Sequence, residues 1–145
     1  MKVKGILQAK ASKEVRTIGP EATVREAVKL FTSYGVGALP VVDESKQILG
    51  IITERDVLRR VLSDKEPDLL TPVRAIMTTD VLVGVPEDEA DYIMGVMTNS
   101  KIRHMPIVSG NTMVGILSIG DLVKSQLKQF EFENRHLKDY IKRGS

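Results

Sequence analysis

The sequence predicts a mixed α/β fold: two tandem β-α-β-β-α repeats packed as a pseudo-two-fold pair, with an extra amphipathic helix at the C-terminal end. Three observations carry this. Gly35-Val36-Gly37-Ala38-Leu39-Pro40-Val41-Val42 is echoed by Lys101-Ile102-Arg103-His104-Met105-Pro106-Ile107-Val108, with Pro40 falling on Pro106 at a shift of 66 positions. Pro20-Glu21-Ala22-Thr23 falls on Pro86-Glu87-Asp88-Glu89 at the same shift, and Gly50 to Asp56 falls on Gly115 to Asp121 at a shift of 65. Two copies are also too few for an open solenoid, which needs about three to bury its faces, so the units close on each other and any site lies between them.

Each element has its own local warrant. A short strand is expected at Arg16-Thr17-Ile18. Thr23 with Glu26 three residues on is a capping-box pattern, and Val24, Ala27, Val28 and Phe31 follow at helical spacing. Gly35 stands where a left-handed residue ends a helix. The apolar run Val36 to Val42 suits a strand covered on both faces, and Asp43-Glu44-Ser45-Lys46 turns into a second strand, Ile48 to Thr53. A helix follows from Glu54 to about Leu62.

The second copy repeats this, with a helix over Glu89 to Asn99, strands at His104 to Val108 and Met113 to Ser118, and a helix from about Gly120. Val73-Arg74-Ala75-Ile76-Met77 resembles Val3-Lys4-Gly5-Ile6-Leu7, so each unit begins with a small leading helix. The expected division is repeat one over 1–62, a polar, proline-containing linker over 63–72, repeat two over 73–125 and a helical extension over 126–145. In that extension Leu127, Phe130, Leu137, Tyr140 and Ile141 form an interrupted apolar stripe. A helix of this kind is marginal alone in water, so the tail is expected to pack on a second subunit and reinforce a homodimer, with docking on its own chain as the alternative.

Bulk composition narrows the function. The 145 residues carry 21 Lys and Arg against 19 Asp and Glu, and a net charge of +2 does not point to nucleic acid or an anionic membrane. There is no cysteine, hence no disulfide framework, thiolate metal site or cysteine nucleophile. No apolar run approaches a membrane span, and Met1 to Lys10 lacks a signal-peptide core, so a cytoplasmic protein is expected.

Chemistry concentrates in Thr53-x-x-Asp56 and Ser118-x-x-Asp121. A hydroxyl at a helix start and an Asp three residues on share the first turn with backbone N–H groups that favour phosphate. The ionised carboxylate accepts hydrogen bonds from two adjacent ribose hydroxyls, which requires a free 2′-OH. Either pair alone also satisfies a capping box.

A Gly-Ile-Ile/Leu-Thr/Ser-x-x-Asp segment after a Leu/Met-Pro-Val/Ile-Val strand, twice over residues 3 to 125, resembles the CBS domain pair, or Bateman module. The resemblance implies two clefts between the repeats, AMP, ATP or NAD as regulatory ligand, no catalytic cofactor and a homodimer. It also implies that each hydroxyl-x-x-Asp turn faces the other repeat's proline strand. Cleft A would then hold Thr53, Arg55, Asp56, Thr78, Thr79, Val81, Ile102, Arg103, His104, Met105 and Pro106. Cleft B would hold Val15, Arg16, Thr17, Val36, Gly37, Ala38, Pro40, Ser118 and Asp121. On this reading Arg103 and His104 offer charge to a polyphosphate or dinucleotide in A, unless they are only an exposed strand start. Cleft B, with small residues and Arg16 as its nearest cation, prefers a smaller ligand. Lys124, Lys128 and Arg135 read as a solvated helix face.

Two other functions stand beside a nucleotide-sensing module. One is a structural dimerisation module without a ligand. The other is an enzyme, against which stand the missing cysteine, the scattered His104 and His136, and the absence of a P-loop or Gly-x-Gly-x-x-Gly segment.

Overall fold

A computed structural model describes residues 1–10, 15–63 and 68–144. Its elements are α1 (Val3–Ala9), α2 (Val24–Tyr34), β1 (Ala38–Val42), β2 (Ile48–Thr53), α3 (Glu54–Ser63), a 3-10 turn (Val73–Ala75), α4 (Ala90–Ser100), β3 (His104–Ser109), β4 (Thr112–Ser118) and α5 (Ile119–Gly144). The pairs β1–β2 and β3–β4 form two antiparallel two-stranded sheets with the same irregularity, between Val41 and Val42 and between Ile107 and Val108.

Local sequence accounts for the helix ends. Thr23 and Glu26 form the full capping box, and Gly35 ends α2 at φ 62°. In the second repeat Lys101 occupies the matching position at φ 56°, where a side chain is disfavoured.

The leading strand at 16–18 is shorter than expected, being a single parallel bridge from Ile18 to Val41. Ile18 N–H donates to Pro40 O at 3.0 Å, and Val42 N–H donates to Ile18 O at 3.0 Å. Lengthening a parallel ladder in either direction would need an N–H from Pro20 or Pro40, and proline has none. Gly84 bridges Ile107 in the same way, with Pro86 and Pro106 as the matching stops. The repeated prolines therefore limit both ladders to one residue.

Two cores form, and the leading segments are exchanged between them. Val3 and Ile6 of α1 pack with Ala90, Ile93, Met97, Met105, Ile107, Leu117 and Leu122 of the second repeat. Val73 packs with Ile18, Ala27, Phe31, Leu39, Val41 and Ile52 of the first. Backbone bonds pin both crossings: Val3 N–H to Asp88 O and Ala90 N–H to Met1 O, each 2.9 Å, and Val73 N–H to Ala22 O at 2.7 Å. Each leading segment thus serves the repeat it does not precede. The close approach needs glycine, because a Cβ on Gly50 would lie 2.7 Å from Thr78 O, and one on Gly115 would lie 2.7 Å from Leu7 Cδ2.

The expected break between repeat two and a separate extension does not occur, since α5 runs unbroken from Ile119 to Gly144. Neither Gly nor Pro interrupts the chain from 121 to 143, so nothing local ends the helix. Of the expected linker, 64–67 lie outside the described residues, as does Ser145 of the extension.

Candidate functional site

Both hydroxyl-x-x-Asp turns sit where the second strand of a repeat enters its closing helix. Thr53 donates from its N–H and its Oγ1 to Asp56 Oδ2, at 2.9 and 3.1 Å, and Asp56 N–H returns a bond to Thr53 Oγ1 at 3.2 Å. Ser118 N–H donates to Asp121 Oδ2 at 2.9 Å, and Asp121 N–H to Ser118 Oγ at 3.0 Å. Capping is therefore real at both turns.

What lies next to each carboxylate follows from the exchanged leading segments. The chain leaving Val73–Ala75 pairs Thr78 with Ile51 through two 2.9 Å backbone bonds, and Thr78 Oγ1 donates to Asp56 Oδ1 at 3.3 Å. The chain leaving α1 carries Lys10, whose Nζ lies 2.9 Å from Asp121 Oδ2 and donates to Ile116 O at 2.8 Å. One turn meets a neutral hydroxyl and the other an ammonium.

Around Asp121 is a cavity of about 580 Å³, within the size range of ligand sites, lined in part by Lys10, Arg16, Tyr34, Val36, Ala38, Ile116, Lys124, Ser125 and Lys128. Arg16, Val36, Ala38 and Asp121 were expected in cleft B and are brought together here. The guanidinium of Arg16 lies 3.8 Å from the centroid of the Tyr34 ring. Val15, Thr17, Gly37, Pro40 and Ser118 are not among the lining residues. Pro40 is fully buried and serves the Ile18 bridge, while the carbonyl of Gly37 accepts from Glu54 N–H at 3.0 Å.

The charge at this cleft differs from the sequence expectation of Arg16 as its nearest cation. Lys10, Lys124 and Lys128 line the cavity as well, and the latter two read as a mere solvated face only because sequence does not show what α5 borders. Lys10 lies outside the residues expected for this cleft, although the sequence carries a signal for it. The 70-position shift that matches Val3–Leu7 to Val73–Met77 also sets residues 8–11 against Thr78–Val81.

In cleft A the structure joins Thr53, Asp56 and Thr78. Arg55 and Thr79 are exposed and Val81 is half-buried. Met105 and Pro106 lie inside the second repeat, where Met105 is 1% exposed, so their side chains are core. Ile102 packs against that same core. Arg103 is exposed, and its carbonyl accepts from Ile119 N–H at 2.8 Å, the counterpart of the Gly37–Glu54 bond.

His104 lies between the repeats: a Cβ on Gly37 would be 3.5 Å from its Cε1 and 3.7 Å from Glu54 Cδ. Burial lowers its pKa, outweighing the upward pull of Asp121 and Glu54, and Lys10 and Arg103 lower it further. Burial therefore works against the positive charge that a phosphate contact in cleft A would ask of this imidazole.

Two repeats that exchange leading segments and present two hydroxyl-x-x-Asp turns define a paired-repeat cleft architecture. The chain belongs to the CBS-domain family, whose family model matches residues 3–63 and 73–128. It is 38% identical over 126 residues to CBS domain-containing protein CBSX3, mitochondrial, of Arabidopsis thaliana, a match covering 84% of this chain and 61% of that protein. A putative signal-transduction protein with CBS domains from Burkholderia ambifaria is 39% identical, with a TM-score of 0.82 over 88% of this chain and 95% of that one. The CBS domain pair of protein MJ0100, solved in complex with 5′-methylthioadenosine and S-adenosyl-L-methionine, is 26% identical, with a TM-score of 0.78 over 89% of this chain and 98% of that one.

Proposed function

We propose that this chain is a regulatory module without catalysis of its own that takes adenine nucleotides (AMP, ATP or NAD) in the clefts between its repeats. The observation carrying this reading is the cavity at Asp121. It combines a carboxylate suited to ribose hydroxyls, an apolar wall from Val36, Ala38 and Ile116, and cations at Lys10, Lys124 and Lys128 suited to phosphate. The adenosine-type ligands of the MJ0100 pair support an adenine base.

Asp56 and Thr78 form the corresponding seat in cleft A. With its cations, cleft B takes the more highly phosphorylated ligand, the reverse of the preference the sequence suggested. Among the described residues no helix is long and apolar enough to cross a membrane, and we place the module in the cytoplasm as a homodimer.

Titration with adenosine, AMP, ATP, NAD and 2′-deoxy-AMP tests the reading. Ribonucleotides binding more tightly than both adenosine and the deoxy analogue is the expected result. A folded protein indifferent to the whole panel, and releasing no nucleotide on denaturation, would instead be a structural dimerisation module.

A further inference from the structure

Residues 126–142 of α5 are exposed on every side, although the helix is continuous with the buried Leu122. Gln126 is anchored to α4, its Nε2 donating to Asp91 Oδ1 at 3.0 Å. Further along, Gln129 bonds to Glu133 and Phe132 stacks on His136 with ring centroids 6.4 Å apart, both within the same helix.

The residues on this projecting segment keep a heptad. Val123, Leu127, Phe130, Asn134, Leu137 and Ile141 recur at alternating steps of four and three, the spacing of a two-helix seam. We propose that the tail of α5 pairs with the same tail of a second copy as a parallel, in-register, two-stranded coiled coil.

Two features choose the partner and its direction. Asn134 takes the place of a core residue, and in a parallel in-register pair it meets its own copy, so the two amides satisfy each other. Antiparallel packing opposes the two seam positions, so Asn134 would meet an apolar residue such as Phe130 or Leu137 and its polar atoms would lack a partner. Beside the seam, Glu133 and Lys138 occupy the flanking positions that a parallel dimer brings together, giving two opposite-charge contacts related by symmetry. Phe132 falls on the outer face, where its ring stacks on His136.

The inference stands whether or not the clefts take a nucleotide. Because the chain has no cysteine, introduced cysteines allow a clean test. Leu137→Cys, in the seam, should convert most of the chain to a disulfide-linked dimer under mild oxidation, whereas Asp139→Cys, on the outer face, should not. Glu133→Lys should weaken the dimer about tenfold through two lost pairs, and adding Lys138→Glu should restore it. Urea unfolding of each variant confirms an intact body. Equal cross-linking by both cysteine variants, no rescue by the charge swap, or a monomer in sedimentation at all concentrations would overturn the proposal.

Discussion

Lys10 Nζ lies 2.9 Å from Asp121 Oδ2, an ion pair with only 26% and 24% of the side chains exposed, between the end of the first leading segment and the first turn of α5. Burial works against the Asp121 charge, but the Ser118 N–H and the Lys10 ammonium outweigh it and hold the carboxyl below its usual range. A depressed carboxyl pKa contributes stability that is present above about pH 3.9 and lost as pH falls through the folded value. Lys10→Met should therefore lower the unfolding free energy at pH 7 by about 1–2 kcal/mol, with the difference shrinking as Asp121 protonates. Urea denaturation at pH 7 and in acid checks this, and equal stability of mutant and parent at pH 7 would show that the pair contributes nothing.

Asp56 both caps α3 and carries the ribose contact proposed for cleft A. Asp56→Ala should cost about 0.5–2 kcal/mol of stability by removing the acceptor for Thr53 N–H, more than a purely ligand-binding residue would. Asp56→Asn keeps a capping oxygen but loses the charge and one acceptor, so it should retain most of the stability and still bind ribonucleotide more weakly. Calorimetry separates the roles: undiminished affinity in the Asn variant would leave Asp56 with capping alone.

His104 gives the fold a pH dependence of defined sign. Its folded pKa lies below the unfolded value, so the unfolded chain binds the proton more readily. The associated stability is complete above about pH 6.5 and is lost as pH falls from there through the folded value. His104→Gln should flatten the slope of unfolding free energy between about pH 7 and pH 5, the interval in which histidine titrates. NMR titration of the native protein should place the His104 midpoint below the ordinary value, and a midpoint above it would reverse the sign.

Lys101 ends α4 in the left-handed region, at φ 56°, where the first repeat has Gly35 at φ 62°. Its N–H bonds to the Met97 and Thr98 carbonyls, so the conformation is held by the helix end. Lys101→Gly should relieve side-chain strain and raise the unfolding free energy by about 0.5–1 kcal/mol, net of the greater freedom of glycine when unfolded. Thermal and urea unfolding measure it, and a less stable variant would show that the entropy term wins.

Much of this protein was legible in its residues because the signals were local. The capping box of Thr23 and Glu26, the left-handed stop at Gly35 and the apolar strands around Pro40 and Pro106 depend on neighbours a few positions away. The same is true of the two hydroxyl-x-x-Asp turns, whose reciprocal bonds close within four residues. Local order also suggests a short strand over 16–18, where the structure has a single bridge. Ladder length there depends on a partner's free N–H groups, and Pro20 and Pro40 remove them only once the segments lie side by side.

By itself the sequence determined the repeat, its helices and strands, and the two carboxylates from which any site must be built. Only the tertiary structure decided that α1 fills the second repeat's core and Val73 the first's, and therefore that Lys10 meets Asp121 while Thr78 meets Asp56. The reason is physical: a short apolar segment such as Val3–Leu7 records that it must be buried but not against which surface, since hydrophobic attraction is non-directional. The choice comes from shape, from the room left at Gly50 and Gly115, and from distant carbonyls that pin each leading segment after it has crossed.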